Sequence, residues 1–240
     1  MLFSTSDLLS NESQMENPLI PFLRDLAENN HKEWMDAHRG RYVHAREFLL
    51  AEVEELLQGI VVFEPMLEPL KPKDCVFRQN RDIRFSADKR PYKTNMAAYF
   101  AVGGKKSNGP GYYLHVEPGG SFLACGIWMP PADVLKRIRQ EIDYAGGELD
   151  ALLRHSTIKG YFNGLEGEQL KTSPRDYPAD HPYIDYLRHK SFILSKPLTD
   201  EQITNGVYKM LALQAFERAK PFNDFLSRAL EDVEDGSGLL

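Results

Sequence analysis

The chain of 240 residues is 42% hydrophobic and 27% charged, an ordinary globular composition that excludes disorder over most of its length. The length allows one large domain or two small ones. The net charge of -6 excludes a generally basic nucleic-acid coat, so any anion binding must come from a local patch.

Residues 1–16 carry no Lys or Arg and no sustained apolar run, so they read as a polar leader, expected to be flexible, rather than a signal peptide. No stretch approaches the roughly 18 consecutive apolar residues of a membrane span. The two cysteines, Cys75 and Cys125, stand in unlike contexts and build neither a disulfide framework nor a four-ligand zinc site. A reducing, cytoplasmic location fits them.

Asn17-Pro18 opens a helix with the apolar stripe Leu19, Phe22, Leu23 and Leu26, and Asn29-Asn30 closes it. Asn30 followed by Glu33 predicts a capping box for a long second helix, whose apolar positions run from Trp34 and Tyr42 to Leu57. Pro65, Pro69 and Pro72 then end helical structure, and 75–77 reads as a short strand. The aromatic and β-branched runs 96–102, 112–117 and 121–129, separated by glycine-rich turns, predict an antiparallel meander.

Pro130-Pro131 feeds a helix carrying Val134, Leu135, Ile138 and Ile142, expected to break at Gly146-Gly147 before a shorter one. Residues 157–182 read as irregular, with a small hairpin at Asn163-Gly164. Thr199 and Gln202 form a second capping-box pattern, with Ile203, Val207, Met210 and Leu211 as the apolar face behind it. Pro221 is expected to start the last helix, and 236–240 to be a frayed tail. No repeat or flexible linker divides the chain. The expectation is one α+β domain over 17–235, with a central antiparallel sheet at about 75–129 packed by the N-terminal and C-terminal helices.

The segment 71–93, KPKDCVFRQNRDIRFSADKRPYK, holds eight Lys and Arg against three Asp, a local +5 in a chain of -6. Such a concentration must be solvated, paired with carboxylates, or meeting an anion. On one unbroken strand Arg81 would point away from Arg78 and Arg84, so a turn near Gln79-Asn80 is expected to bring the three together.

The text VFRQNRDIRFSADKRPYKTN at 76–95 resembles the signature of the domain of unknown function 2461 family. ENNHKEW at 28–34, GYYLHVEPGGSFLACGIWMP at 111–130 and PFNDFL at 221–226 follow in the family's order, so the resemblance covers roughly 17 to 230. It implies a single domain and transfers no catalytic residue.

Two functional readings follow from the residues. In the first, Arg78, Arg81, Arg84, Lys89, Tyr92 and Lys93 bind a small phosphorylated or carboxylated ligand, with Asp82 and Asp88 orienting the guanidinium groups. In the alternative, the basic segment is internally ion-paired or docks an acidic partner, and the protein is a non-catalytic interaction module. Phe77, Phe85, Tyr92, Tyr99 and Phe100 interleave with the basic run as in single-strand binders, but the acidic chain and the missing Gly-aromatic motif argue against nucleic acid. Gly104-Lys105-Lys106-Ser107 lacks the spacing of a phosphate loop. The seven histidines form no metal-binding pair, and neither a metal nor a cofactor is expected. Tyr113, His115 and Glu117 would share one strand face, which makes His115 a candidate acid/base residue if that face lines a cleft.

Overall fold

The computed structural model describes residues 17–231, so the leader at 1–16 and the tail at 236–240 lie outside the described residues. Helix α1 (Leu19–Glu28) buries the expected stripe, and the Asn17 side chain accepts from the Leu19 N–H at 3.0 Å. The next helix is two: α2 (Lys32–Ala37) and α3 (Arg39–Val61), parted at His38. The cap of α2 is His31, which accepts from the Trp34 N–H, and not Asn30, whose carboxamide is committed to Tyr92. The proline-rich stretch ends in one helical turn, α4 (Pro72–Cys75), so Cys75 is helical and only Val76 of the strand expected at 75–77 makes a bridge, to Ala98.

The meander is β1 (Met96–Phe100), β2 (Gly111–Val116) and β3 (Phe122–Ile127). After β3 come α5 (Ala132–Arg154), α6 (Ser156–Lys159), β4 (Leu165–Glu166), α7 (Ile184–Leu187), β5 (Phe192–Pro197), α8 (Asp200–Thr204) and α9 (Tyr208–Arg228). The sheet therefore extends beyond residue 129: β5 pairs with β3 and β4 with β5, in the order β1-β2-β3-β5-β4, antiparallel throughout. Helix α5 does not stop at Gly146-Gly147 but kinks at Ala145 (φ -125°, ψ 27°) and continues. The bare glycine backbone admits the Tyr183 ring, since a Cβ on Gly146 would lie 2.2 Å from Tyr183 Cδ2. Pro221 sits inside α9 rather than at its start; the preceding break is at Asn205-Gly206, where Gly206 has φ 76°.

Strand alternation separates the two faces of the sheet. Phe100, Tyr112, Leu114, Val116, Leu123, Phe192 and Leu194 are buried against helices, and α9 lies on β2 and β3 through Phe216 and Phe222. Helix α3 packs on α9, where buried Glu52 accepts from the Tyr208 hydroxyl at 2.5 Å and from Lys209 Nζ at 2.9 Å. The opposite face, carrying Tyr99, Tyr113, His115, Phe122, Ala124, Ile193 and Ser195, is not covered by helices among the described residues and, with the Gly126 backbone, becomes the floor of a cleft.

Candidate functional site

The cleft has a volume of about 830 Å³. Its hollow comes from small residues placed side by side by register: Ala124 opposite both Tyr113 and Ser195, and Gly126 opposite Gly111 and Ile193. Gly126 must be glycine, because its φ of 111° suits no L side chain and a Cβ there would stand 2.0 Å from the Phe192 carbonyl oxygen. One wall is Phe77 and Lys93, a second the loop from Lys105 to Gly109, and a third the apolar run Trp128, Met129, Pro130 and Pro131. The Tyr99 hydroxyl ties the second wall to the floor by donating to the Gly109 carbonyl at 2.7 Å.

The basic segment does not turn at Gln79-Asn80. It runs antiparallel to the segment entering β1, with bridges Val76–Ala98 and Asn80–Tyr92, and the chain reverses within residues 82–90. Three residues lie between the bridge positions on one side and five on the other. Buried Gln79 fills the slip, its side-chain amide donating to the carbonyls of Lys93 at 2.6 Å and Asn95 at 3.2 Å. A bulge thus stands where a turn was expected, and it does not bring Arg78, Arg81 and Arg84 together.

The six residues expected to bind an anion are dispersed by this geometry. Arg84 is bidentate on Asp82, at 2.9 and 2.7 Å, and its guanidinium lies over the exposed Phe85 ring. Arg81 meets Asp88 at 2.8 Å and donates to the Arg90 carbonyl and the Ser86 hydroxyl, while Arg90 grips the same Asp88. These contacts, first the Arg90 side chain and then its backbone, hold the Asp88 carboxyl well below the usual range. Lys89 donates to the Ile83 carbonyl, and Tyr92 packs its ring on the core while its backbone binds Asn30.

Lys93 and Arg78 differ from the others. Lys93 is half-buried in the cleft wall, its ammonium 5.1 Å above the Phe77 ring, with no carboxylate partner among the described residues. Burial, and then the positive charge of Arg78, push the Lys93 pKa down from its ordinary value. Arg78 is exposed and likewise makes no hydrogen bond or ion pair with a described residue. Arg78 and Lys93 repel one another in the free protein, while Arg78 also feels the charge of Asp82, which is itself held by Arg84.

On the floor, Tyr113 and His115 begin a chain that continues to Glu117, behind the cleft lining. Glu117 accepts from the Thr94 hydroxyl at 2.5 Å through one oxygen and from His115 Nε2 at 3.1 Å through the other. Partial burial pushes the Glu117 carboxyl up, but these two hydrogen bonds and the charges of His115 and Arg90 outweigh it and hold the carboxyl below its ordinary value. A carboxylate only accepts, so Nε2 carries the imidazole proton and Nδ1 presents its lone pair. The Tyr113 hydroxyl donates to Nδ1 at 3.0 Å, and the Asn95 side-chain nitrogen stands 3.3 Å from it. Phe122, stacked on the imidazole at 4.6 Å and 17°, fixes the ring plane. Burial, assisted by the Glu117 charge, pushes the Tyr113 phenol up to about 12.

Reading by strand alternation finds Tyr113, His115 and Glu117, but it misses Thr94, Asn95 and Ser195. The alternation of Phe192 and Leu194 with Ile193 and Ser195 is the signal that would have placed β5. Both cysteines are buried free thiols, and burial raises the pKa of each, which leaves them unreactive. Among the described residues no cluster of three or more His, Cys, Asp or Glu could hold a metal ion, and no helix is long and apolar enough to cross a membrane.

A helix-backed antiparallel sheet with a ligand-sized cleft on its free face defines an α+β protein with a concave, mainly apolar site that carries a few polar groups. The chain belongs to the family described as Conserved hypothetical protein (DUF2461), whose family model matches residues 18–225. No curated protein and no solved structure matches the chain.

Proposed function

We propose that the protein binds a small organic anion, a carboxylate or phosphate on an apolar body, in the cleft on the free face of the sheet. The observation that carries this reading is Lys93: an ammonium half-buried in a cavity wall, resting on Phe77 and without a carboxylate partner among the described residues. A bound anion would supply the missing countercharge and offset the repulsion from Arg78. Trp128, Met129 and Pro130 offer the apolar wall for the rest of the ligand.

In this reading Arg81, Arg84, Lys89 and Tyr92 build the loop that carries Lys93 and do not touch the ligand, because each is already engaged within the protein. The same internal pairing favours a structural role for that part of the basic segment, as in the alternative reading. The buried free thiols suit a reducing compartment such as the cytoplasm.

A thermal-shift panel of inorganic phosphate, phenyl phosphate, benzoate, 2-oxobutyrate, 2-oxoglutarate and phenylpyruvate tests the proposal. Stabilisation that rises with ligand concentration is expected for at least one organic anion, abolished in Lys93→Met and retained in Arg84→Ala. A flat response across the panel sinks it.

A further inference from the structure

Resting on the binding reading above, we propose that the cleft catalyses proton transfer at the carbon next to the carbonyl of an anionic oxo acid. Tyr113 is the group that touches the substrate, His115 is its proton store, and Glu117 is the positioning residue behind them. The geometry that points here is a hydroxyl, an imidazole and a carboxylate in series: 3.0 Å from Tyr113 to Nδ1 and 3.1 Å from Nε2 to Glu117. It is the arrangement of an activated hydroxyl with its base and the base's orienter, with a phenol as the first member.

Three features separate this chain from an ordinary polar sheet surface. It lies on the floor of a cavity, where Tyr113 and His115 are each partly shielded from water. Its direction is fixed from both ends, because Glu117 accepts from the Nε2 N–H while Asn95 and Tyr113 both address Nδ1. The ammonium of Lys93, without a carboxylate partner among the described residues, lines the same cavity, and the Phe77 ring beneath it meets the Tyr113 ring edge-on at 6.3 Å. A proton acceptor and a half-buried cation in one cavity are the two things enolate formation needs: somewhere for the proton and a countercharge where the negative charge appears.

The step balances within these groups. The Tyr113 proton passes to His115 Nδ1 as the phenolic oxygen removes a proton from the substrate carbon. The electron pair of the broken C–H bond forms the carbon–carbon double bond, and the carbonyl π pair moves onto oxygen as an enolate facing Lys93. His115 then holds the positive charge, stabilised by Glu117, until the relay returns a proton to the carbon.

The test follows loss of the C–H signal of 2-oxobutyrate, 2-oxoglutarate and phenylpyruvate by proton NMR in D2O, with the full chain and a protein-free control. A probe that raises Tm is expected to exchange faster with the protein than without it. Tyr113→Phe should slow that exchange by about 100-fold or more while the Tm shift survives, since the hydroxyl and not the cation has been removed. His115→Gln gives a second route to the same answer if the phenylalanine variant does not fold. A probe that raises Tm yet exchanges only at the control rate, or exchange unaltered in both variants, overturns the relay and leaves the binding reading intact. If none of the oxo acids raises Tm the relay falls with them, and the binding reading falls too only if phosphate, phenyl phosphate and benzoate are equally silent.

Discussion

The side-chain amide of Asn30 donates to the Tyr92 carbonyl and accepts from the Tyr92 N–H, each at 3.0 Å, although the residues lie 62 positions apart. This two-point clamp fastens the turn between α1 and α2 to the strand that presents Lys93. Asn30→Ala should cost about 1–2 kcal/mol in urea unfolding, the worth of two such bonds, and speed amide exchange at Tyr92 and Lys93. Unchanged exchange at both amides would mean that the clamp does not hold the cleft wall.

Binding of an organic anion should weaken as pH rises, below the 10.5 of an ordinary lysine, because burial and Arg78 lower the Lys93 pKa. The unfolded chain keeps the Lys93 proton to higher pH than the folded one. Within that window rising pH therefore favours folding through this residue while disfavouring ligand binding. Arg78→Ala removes the repulsion and should move the binding midpoint to higher pH. Isothermal titration across pH 7 to 10.5 measures both, and a midpoint unmoved in the variant contradicts the coupling.

Glu117 is held below its ordinary 4.5, so its contribution is complete above that pH and declines as pH falls through the folded-state value. Nitrogen-15 NMR of the neutral His115 imidazole should show Nε2 protonated and Nδ1 bare. Glu117→Gln removes the charge that enforces this tautomer, and the two nitrogen shifts should converge. Shifts identical to wild type would show that the carboxylate does not orient the ring.

The glycines of the sheet separate backbone strain from steric exclusion. Gly126→Ala meets both, with φ 111° and a Cβ 2.0 Å from the Phe192 carbonyl oxygen, so it should cost about 3 kcal/mol or more and disturb β3–β5 pairing. Gly119→Ala, at φ 70° with nothing within 4 Å, meets strain alone and should cost about 1 kcal/mol. Equal Tm losses in the two variants would remove the argument that Gly126 shapes the cleft floor.

Local rules read the chain well wherever neighbours along the sequence are also neighbours in space. The period of two in β2 puts Tyr112, Leu114 and Val116 on the core and Tyr113 and His115 on the free face, and the Thr199–Gln202 capping box forms as written. Local rules misplace a residue when a distant partner competes for it. Asn30 satisfies the capping pattern but is taken by Tyr92, and His31 caps α2 instead. Gly146-Gly147 satisfies the helix-break pattern but serves as the seat of Tyr183.

By itself, then, the sequence determined the α+β class, the meander, the alternation that aligns Tyr113, His115 and Glu117, and the excess positive charge of 71–93. Only the tertiary structure decided which of those charges are spent within the protein and which stand free. Asp82 pairs with Arg84 and Asp88 with Arg90, each two residues on, but the reversal at 82–90 also carries Asp88 to Arg81, seven residues back, while Lys93, five residues on from Asp88, receives no carboxylate from a described residue. Charge pairing depends on separation in space, and here that separation is set by strand register, which small shifts in pairing along the chain can reassign.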